Sequence, residues 1–99
     1  MKRAQISIET EGDIDQITAY TKNAWGLRQA GRYLDQLEDG FHLLAQHPSV
    51  GRPCPSIQAG LRRFEIGKHV VFNRTEPGSI RIIRILHQQM IPAKAHFEQ

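Results

Sequence analysis

The segment at residues 79–90, SIRIIRILHQQM, constrains the fold of this chain more than any other feature. Side chains alternate between the two faces of a β-strand, so the segment predicts a strand that is largely apolar on both faces. A strand of this kind belongs in the middle of a sheet, with other parts of the protein covering both sides. Its apolar faces consist of Ile80, Ile82 and Leu86 on one side and Ile83 and Ile85 on the other.

Three other segments supply the rest of the predicted sheet. Residues 62–66 and 69–74 alternate in polarity, and Gly67-Lys68 between them fits a two-residue hairpin turn. Pro77-Gly78 fits the central positions of a type II turn that leads into the last strand. Residues 4–9 also alternate and predict a first strand that pairs along the other edge of the last one. The expected sheet is therefore four-stranded and mainly antiparallel.

Two helices are predicted between the first strand and the other three. Thr10 and Asp13 have the spacing of a capping box with Thr10 as N-cap, and the acidic residues around them are interpreted as helix capping. Gly26 ends this helix, and one apolar stripe then follows a second helix that stops at His47-Pro48. The order β-α-α-β-β-β predicts an α+β domain in which an antiparallel helical hairpin packs on the sheet.

Aromatic residues and glycines of the two helices are assigned to packing. The aromatic residues are interpreted as hairpin packing and not as a ligand site, and the glycines as candidates for close approach of a neighbouring element. These residues are Tyr20, Trp25, Tyr33 and Phe41, with Gly31 and Gly40 in the second helix.

Length and composition limit the class of protein. The 99 residues fit one domain spanning 1–99, and 39% apolar with 23% charged residues is an ordinary globular composition. Cys54 is the only cysteine, so no intramolecular disulfide forms, and no apolar segment is long enough to cross a bilayer. The first residues lack the long apolar part of a signal peptide, so we expect a cytoplasmic protein, and we predict no cofactor.

The net charge of +3 is unevenly distributed. Residues 1–50 carry five Lys/Arg and seven Asp/Glu, a net of −2, whereas residues 51–99 carry eight and three, a net of +5. A basic half indicates an acidic partner, either nucleic acid or an acidic protein, or simply a solvated basic surface.

Few residues suggest metal binding or nucleophilic catalysis. His42 and His47 point in different directions on a helix, and His69 and His87 lie on different strands, so the histidines lack the spacing of a metal site. Cys54 lies between two prolines and is interpreted as a loop cysteine and not as a nucleophile. We therefore predict no metal site and no cysteine nucleophile.

The basic strands remain as candidates for function. Their residues are Arg62, Arg63, Arg74, Arg81 and Arg84, with His87 at the end. Such a set fits RNA binding and cleavage, in which arginines stabilise the charge on phosphorus and a histidine moves a proton. It also fits a role of Arg84 and His87 in anchoring the C-terminal tail or meeting a protein partner. The residue pattern leaves both interpretations open.

Several short motifs occur in a fixed order along nearly the whole chain. They are Asp13-Ile-Asp-Gln-Ile17 with Tyr20, Trp25-Gly26, Pro48 with Gly51-Arg52, Gly60-Leu-Arg-Arg-Phe64, Gly67-Lys-His-Val-Val-Phe72, and Arg84-Ile-Leu-His87 with Met90. This ordered set resembles the ParE toxins of the RelE/ParE superfamily, which belong to bacterial type II toxin–antitoxin systems. The fold of that superfamily agrees with the β-α-α-β-β-β order predicted above.

The resemblance implies a toxin that binds and inhibits DNA gyrase, blocks replication and leaves broken DNA. It also implies a ParD-like antitoxin encoded beside it, whose disordered C-terminal part folds onto the toxin. Operator DNA would be bound only indirectly, through the antitoxin, and such systems stabilise plasmids or genomes. In this interpretation no residue is catalytic, and His87 helps to fix the tail at 88–99. Candidate target-binding residues are Arg63, Arg81, Arg84, His87, Gln88, Met90 and Lys94, and the antitoxin footprint is not predicted.

Two alternative functions remain. RelE-like ribonucleases cut messenger RNA on the ribosome with basic residues and a tyrosine near the C-terminus. Here Gln88 and Gln89 follow His87, and no tyrosine follows Tyr33, which favours the gyrase inhibitor. The second alternative is a non-toxic protein-binding module, since a decayed toxin would have much the same sequence.

Two positions depart from the ParE pattern. ParE toxins often have tyrosine where Asn73 stands and aspartate where Ile91 stands. The second departure lies in the tail after Met90, which this family links to toxicity.

Overall fold

The computed structural model describes residues 3–97, and the side chain of Lys94 lies outside that description. The sheet has the order β1-β5-β4-β3-β2, in which β1 runs parallel to β5 and all other neighbours are antiparallel. Short 3₁₀ turns occupy Pro48–Val50 and Lys94–Phe97. The main elements are β1 (Arg3–Ile6), α1 (Ile8–Trp25), α2 (Leu27–Gln46), β2 (Arg52–Pro53), β3 (Arg62–Ile66), β4 (His69–Glu76) and β5 (Ser79–His87).

The predicted α+β architecture is confirmed, with one more strand than expected. The additional strand, β2, has two residues and pairs with the edge of β3. The Arg62 guanidinium donates from Nε and Nη2 to the carbonyl oxygen of Gly51, at 3.0 and 2.6 Å. This contact holds the loop against β3. A strand of two residues is too short to show an alternation of polar and apolar residues, so the sequence did not predict β2.

Strand β5 is buried on both faces, as predicted, but its alternation changes in the middle. Phe72 of β4 lies opposite Arg84, and the next residue, Asn73, lies opposite Ile82, so β5 contains one extra residue at this point. A bulge adds a residue to one strand only, so the side chains beyond it move to the other face. The predicted faces are therefore wrong after the bulge. Ile80, Ile82 and Ile85 share the core under the helices, and Ile83 and Leu86 share the core on the opposite side.

Helix α1 begins with Ser7 as its N-cap and not with Thr10. The Ser7 hydroxyl accepts a hydrogen bond from the Thr10 backbone N–H at 3.0 Å. Ser7, Thr10 and Asp13 recur every three residues on one face of the helix and are all buried. The hydroxyls of Ser7 and Thr10 donate to the carbonyl oxygens of Ile83 and Ile82, at 2.9 and 3.1 Å. The predicted capping box is therefore wrong, because these side chains continue the pairing of β5 where β1 ends.

The two helices form the expected antiparallel hairpin, with Gly26 as the only connecting residue. Gly26 has φ of 92°, a conformation that glycine adopts without steric penalty. A Cβ at Gly40 would lie 2.2 Å from Cδ1 of Ile66, so α2 approaches β3 closely there. Gly31 faces open space. The interpretation of close approach is correct for Gly40 and wrong for Gly31.

The face of the sheet opposite the helices is covered by the loop at residues 54–61 and by the end of the chain. The Cys54 N–H donates to the carbonyl oxygen of Leu61 at 2.9 Å, which folds the loop back on itself. Phe97 packs against Phe72 with 4.8 Å between ring centroids. This second core contains Cys54, Leu61, Val70, Phe72, Ile83, Leu86 and Phe97. Among residues 3–97, no helix has the length and apolar character needed to span a membrane.

Candidate functional site

A groove of about 980 Å³ lies between the helical hairpin and the carboxyl end of β5. Tyr20 and Trp25 of α1 line it with side chains that are 72% and 70% exposed. The interpretation of these two residues as hairpin packing is therefore wrong, although Phe41 is buried as predicted. We call this surface the aromatic groove, and its main residues are Tyr20, Trp25, Tyr33, His69, His87 and Met90.

Asp13 and Arg84 form a partly buried ion pair at one side of the aromatic groove. Their side chains are 9% and 21% exposed, and the carboxylate accepts from Nε and Nη2 of Arg84 at 2.8 Å each. Asp13 also accepts from the Ile85 N–H at 2.9 Å. The hydrogen bond to Asp13 raises the pKa of Arg84 above its ordinary value. Asp13 thus pairs with the edge of β5, and its interpretation as a helix-capping charge is wrong.

Arg84 also connects α1 to the C-terminal tail. Its Nη1 donates to the carbonyl oxygen of His96 at 3.4 Å, one residue before the buried Phe97. The tail begins with two hydrogen bonds to His87: the Gln89 N–H donates to Nδ1 at 3.2 Å, and the Met90 N–H donates to the carbonyl oxygen at 2.9 Å. Arg84 and His87 therefore both hold the tail in place, in agreement with the anchoring interpretation.

Tyr33, His69 and His87 meet at the end of the aromatic groove. His69 and His87 lie directly opposite each other on β4 and β5, with 5.4 Å between ring centroids. The Tyr33 hydroxyl lies 2.5 Å from Nδ1 of His69. Gly67 lets Tyr33 approach, since a Cβ at Gly67 would lie 2.7 Å from the tyrosine ring.

Hydrogen bonds fix the tautomer of His87 and link that of His69 to Tyr33. The Tyr33 oxygen accepts from the Lys68 N–H at 3.2 Å, and its single proton has two acceptors within reach, the carbonyl oxygen of Ile66 at 3.1 Å and Nδ1 of His69 at 2.5 Å. Nδ1 of His69 is an acceptor when Tyr33 donates to it and a donor when Tyr33 donates to Ile66. Because His87 accepts at Nδ1, its neutral ring has the proton on Nε2.

Burial affects the ionisation of the same cluster. Desolvation lowers the pKa of His69 below its ordinary value, and the nearby His87 lowers it further. Burial also raises the pKa of Tyr33. At neutral pH the His69 ring and the Tyr33 hydroxyl are therefore uncharged.

A second exposed surface lies on the opposite side of the sheet. Arg74 on β4 lies directly opposite Arg81 on β5, and Arg63 on β3 points to the same side with its guanidinium 5.8 Å from the ring centre of Phe72. We call this surface the arginine face, defined by Arg63, Arg74 and Arg81.

The structure divides the predicted target-binding residues between these two surfaces. Arg63 and Arg81 lie on the arginine face, whereas Arg84, His87 and Met90 lie at the aromatic groove. Gln88 follows β5, and its N–H donates to the carbonyl oxygen of Lys68 at 2.9 Å. Lys94 is in the final 3₁₀ turn, and its side chain is outside the described part of the chain.

Cys54 is buried, and its thiol donates to the carbonyl oxygen of Leu61 at 3.4 Å. Burial raises the pKa of the thiol, which disfavours the reactive thiolate. Within the described residues, no group of three or more histidine, cysteine, aspartate or glutamate side chains has the arrangement of a metal site.

Comparison with known proteins identifies the family. The profile described as "ParE toxin of type II toxin-antitoxin system, parDE" matches residues 5–92. The chain belongs to the ParE toxin family. The curated Toxin ParE1 of Caulobacter vibrioides is 40% identical over 96 residues, which cover 97% of this chain and 98% of that protein. Toxin ParE1 of Mycobacterium tuberculosis is 35% identical over 89 residues, covering 89% and 91%.

Solved structures support the same fold. The chromosomal ParDE toxin–antitoxin system from P. aeruginosa aligns with a TM-score of 0.75 at 20% identity, covering 88% of this ParE chain and 96% of that chain. The toxin–antitoxin complex RelBE2 from Mycobacterium tuberculosis aligns with a TM-score of 0.63 at 18% identity, covering 87% and 96%. The chain therefore has the fold shared by ParE and RelE toxins.

Proposed function

We propose that this ParE toxin acts in the cytoplasm by binding DNA gyrase and inhibiting it, without breaking covalent bonds itself. The observation on which this proposal rests is the 40% identity to Toxin ParE1 of Caulobacter vibrioides over 97% of the chain. The surfaces of the molecule support a binding protein. Its exposed features are an aromatic groove and an arginine face, and Asp13, the buried carboxylate nearest the groove, is fully occupied by Arg84 and Ile85.

We propose that a ParD-like antitoxin neutralises the toxin and that its C-terminal part occupies the aromatic groove. Tyr20, Trp25 and Met90 are 72%, 70% and 48% exposed there, and contiguous exposed apolar surface of this kind usually marks a protein-binding site. A groove between helices and a sheet suits an amphipathic segment that folds as it binds. Lys68 at the rim favours an acidic residue beside the apolar ones.

The gyrase contact is proposed to use the predicted set Arg63, Arg81, Arg84, His87, Gln88, Met90 and Lys94. Arg84 contributes by positioning, because its guanidinium is bound to Asp13 and to the tail at His96. The exposed groups at the groove, His87 and Met90, are then shared between gyrase and antitoxin. Competition for this shared surface would explain how the antitoxin neutralises the toxin.

The test is a pair of assays with the purified toxin, freed of its antitoxin. Supercoiling of relaxed plasmid by purified gyrase should be inhibited, and addition of the antitoxin should restore it. In parallel, messenger RNA on translating ribosomes should stay intact. Uninhibited supercoiling together with normal growth of expressing cells would support the non-toxic binding module instead.

One specific observation favours a RelE-like ribonuclease as the second candidate. The fold brings Tyr33, the last tyrosine of the chain, to His69 and His87, although the sequence separates them widely. With its proton on Nδ1, the uncharged His69 would have a lone pair on Nε2 that removes the proton of a ribose 2′-hydroxyl, which then attacks the adjacent phosphate. The acid that protonates the leaving 5′ oxygen would be His87 as the imidazolium, which returns to the neutral ring as it gives up the proton. Cleavage of ribosome-bound message that is lost in His87→Gln would select this candidate.

A further inference from the structure

The arginine face holds two like charges in direct cross-strand register. Arg74 and Arg81 are register partners on β4 and β5, and like charges placed directly opposite each other destabilise a sheet. Arg74 is held by the loop, since its Nη1 donates to the carbonyl oxygen of Ala59 at 3.0 Å and its Nη2 donates to Gln58. The Arg81 side chain makes no hydrogen bond or ion pair within residues 3–97.

Nearby carboxylates do not neutralise this pair. Glu65 on β3 is taken by an ion pair with Arg52. Glu76 lies two residues beyond Arg74, about 7 Å further along β4, and pairs in register with Ser79. Nε of Arg63 on the same face is buried and has no hydrogen-bond partner among the described residues. The arginine face therefore carries uncompensated positive charge, and among the described residues its unpaired guanidinium is that of Arg81.

The chemistry of the face favours a nucleic acid over a protein. Protein interfaces have an apolar core enriched in aromatic residues. Here the apolar side chains of the face, such as Phe72, Ile83 and Leu86, are already covered by the loop at 54–61 and by Phe97. What remains partly exposed on this face is the half-buried arginines Arg63, Arg74 and Arg81, and interfaces with nucleic acid are polar and strongly basic. The helices on the other side of the sheet carry most of the acidic residues, so the molecule presents one basic side.

The burial of the aromatic rings on this face indicates whether it suits a single strand or a duplex. Proteins that bind single strands stack the bases on exposed aromatic rings. The aromatic rings of this face, Phe72 and Phe97, are 0% and 4% exposed, so they offer no stacking surface. Arginines on a regular sheet without exposed aromatic rings suit the phosphates of a duplex, which position a protein without reading the bases.

We propose that the arginine face binds the phosphate backbone of duplex DNA, without sequence preference. One further step rests on the proposed function: the toxin contacts the DNA that gyrase holds as well as gyrase itself. The aromatic groove on the other side of the sheet remains free for a protein segment. Of the residues proposed above for the gyrase contact, Arg63 and Arg81 then contact the DNA that gyrase holds, and His87 and Met90 contact the protein.

The test measures binding of the purified full-length toxin to a fluorescent 30-base-pair duplex of random sequence, with the single strand of the same sequence alongside. Three phosphate contacts predict a plot of log affinity against log salt with a slope of about −3. Arg81→Gln should weaken duplex binding roughly three- to tenfold at low salt and reduce the slope by about one. Arg28→Gln is the matched control, because Arg28 is an exposed residue of α2 with the same charge and should leave binding unchanged.

The outcomes separate this proposal from the gyrase proposal. Salt-dependent duplex binding that is reduced only by Arg81→Gln supports the arginine face, whether or not supercoiling is inhibited. Equal effects of Arg81→Gln and Arg28→Gln, equal or tighter binding of the single strand, or absence of binding at low salt would overturn it. Thermal unfolding of both variants establishes that they are folded, and Arg81→Glu provides a stronger version of the same change. Inhibition of gyrase without duplex binding would leave the proposed function standing and remove this inference.

Discussion

The aromatic groove and the arginine face lie on opposite sides of one sheet, and they present different side chains, mainly aromatic in the groove and basic on the arginine face. In the groove, Tyr20 and Trp25 are exposed, whereas the charged pair Asp13–Arg84 is satisfied internally. On the arginine face the apolar residues are covered by the loop at 54–61 and by Phe97, and three half-buried arginines remain at the surface. Strand β5 contributes to both surfaces. Arg81 lies on the arginine face, whereas Arg84 and His87, which follow the bulge, lie at the aromatic groove. A small domain can thus keep two surfaces of different chemistry around one central strand.

The largest expected effect concerns the ion pair between Asp13 and Arg84 at the side of the aromatic groove. Asp13→Ala leaves Arg84 partly buried without its carboxylate and removes the acceptor of the Ile85 N–H. We expect a loss of about 3–5 kcal/mol in the free energy of unfolding, measured by urea denaturation. Asp15→Ala is the control, since Asp15 is exposed on the same helix and should change stability by about 0.5 kcal/mol or less. Similar losses in both variants would refute the assigned role of Asp13.

The next effect tests whether the aromatic groove binds the antitoxin. Trp25→Ala should weaken binding of a ParD-like antitoxin by about 2 kcal/mol or more, roughly thirtyfold in Kd, because an exposed tryptophan in a groove has the properties of a hot spot. Ile8→Ala removes an apolar side chain that is 81% exposed outside the groove and should leave the Kd unchanged. Calorimetry would measure both. Duplex DNA binding should be the same in both variants, because neither residue is on the arginine face.

A pair of glycine substitutions probes how the helices rest on the sheet. Gly40→Ala places a methyl group against Ile66 and should destabilise the protein by about 1–3 kcal/mol. Gly31→Ala in the same helix meets open space and should stabilise it by up to about 1 kcal/mol. Opposite signs in thermal unfolding would confirm the close contact between α2 and β3. Equal signs would contradict it.

The smallest expected effect is a dependence of stability on pH that arises from His69 in the aromatic groove. The folded pKa of His69 is lowered by desolvation and by His87, so between the folded and unfolded pKa values the unfolded chain binds more protons. The contribution of His69 is therefore fully present above about pH 6.5 and is lost as the pH falls through the folded pKa. Urea midpoints between pH 7.5 and 5 should fall less steeply in His69→Gln. The exposed His42 is the control, and His42→Gln should keep the wild-type dependence.

The sequence predicted the architecture because the signals were local and periodic. The alternation in residues 62–66 and 69–74, the apolar stripe of α2 and the doubly apolar β5 determine the element order and the central strand. The roles of Asp13 and Tyr33 could not be predicted, since their partners Arg84 and His69 are 71 and 36 residues away. A three-residue spacing of Ser7, Thr10 and Asp13 is the one signal that pointed to a shared face.

Two further sequence predictions were wrong for a related reason, because they also depend on contacts between distant elements. The spacing of Tyr20 and Trp25 along α1 gives their face of the helix but does not show whether another element covers it. The bulge in β5 depends on register with β4, and no residue between 79 and 87 marks it, since neither glycine nor proline occurs there. Both features arise from how elements meet, which local patterns do not encode.

The central proposal is that the protein disables gyrase by binding and not by catalysis, and the dependence of inhibition on the ratio of toxin to gyrase tests it most directly. Plasmid supercoiling would be followed over time at toxin-to-gyrase ratios from well below one to well above one. The account predicts that inhibition saturates once toxin matches gyrase, does not deepen with longer incubation, and is reversed by the antitoxin. Inhibition by a small fraction of an equivalent of toxin that grows with time and persists after the antitoxin is added would contradict it.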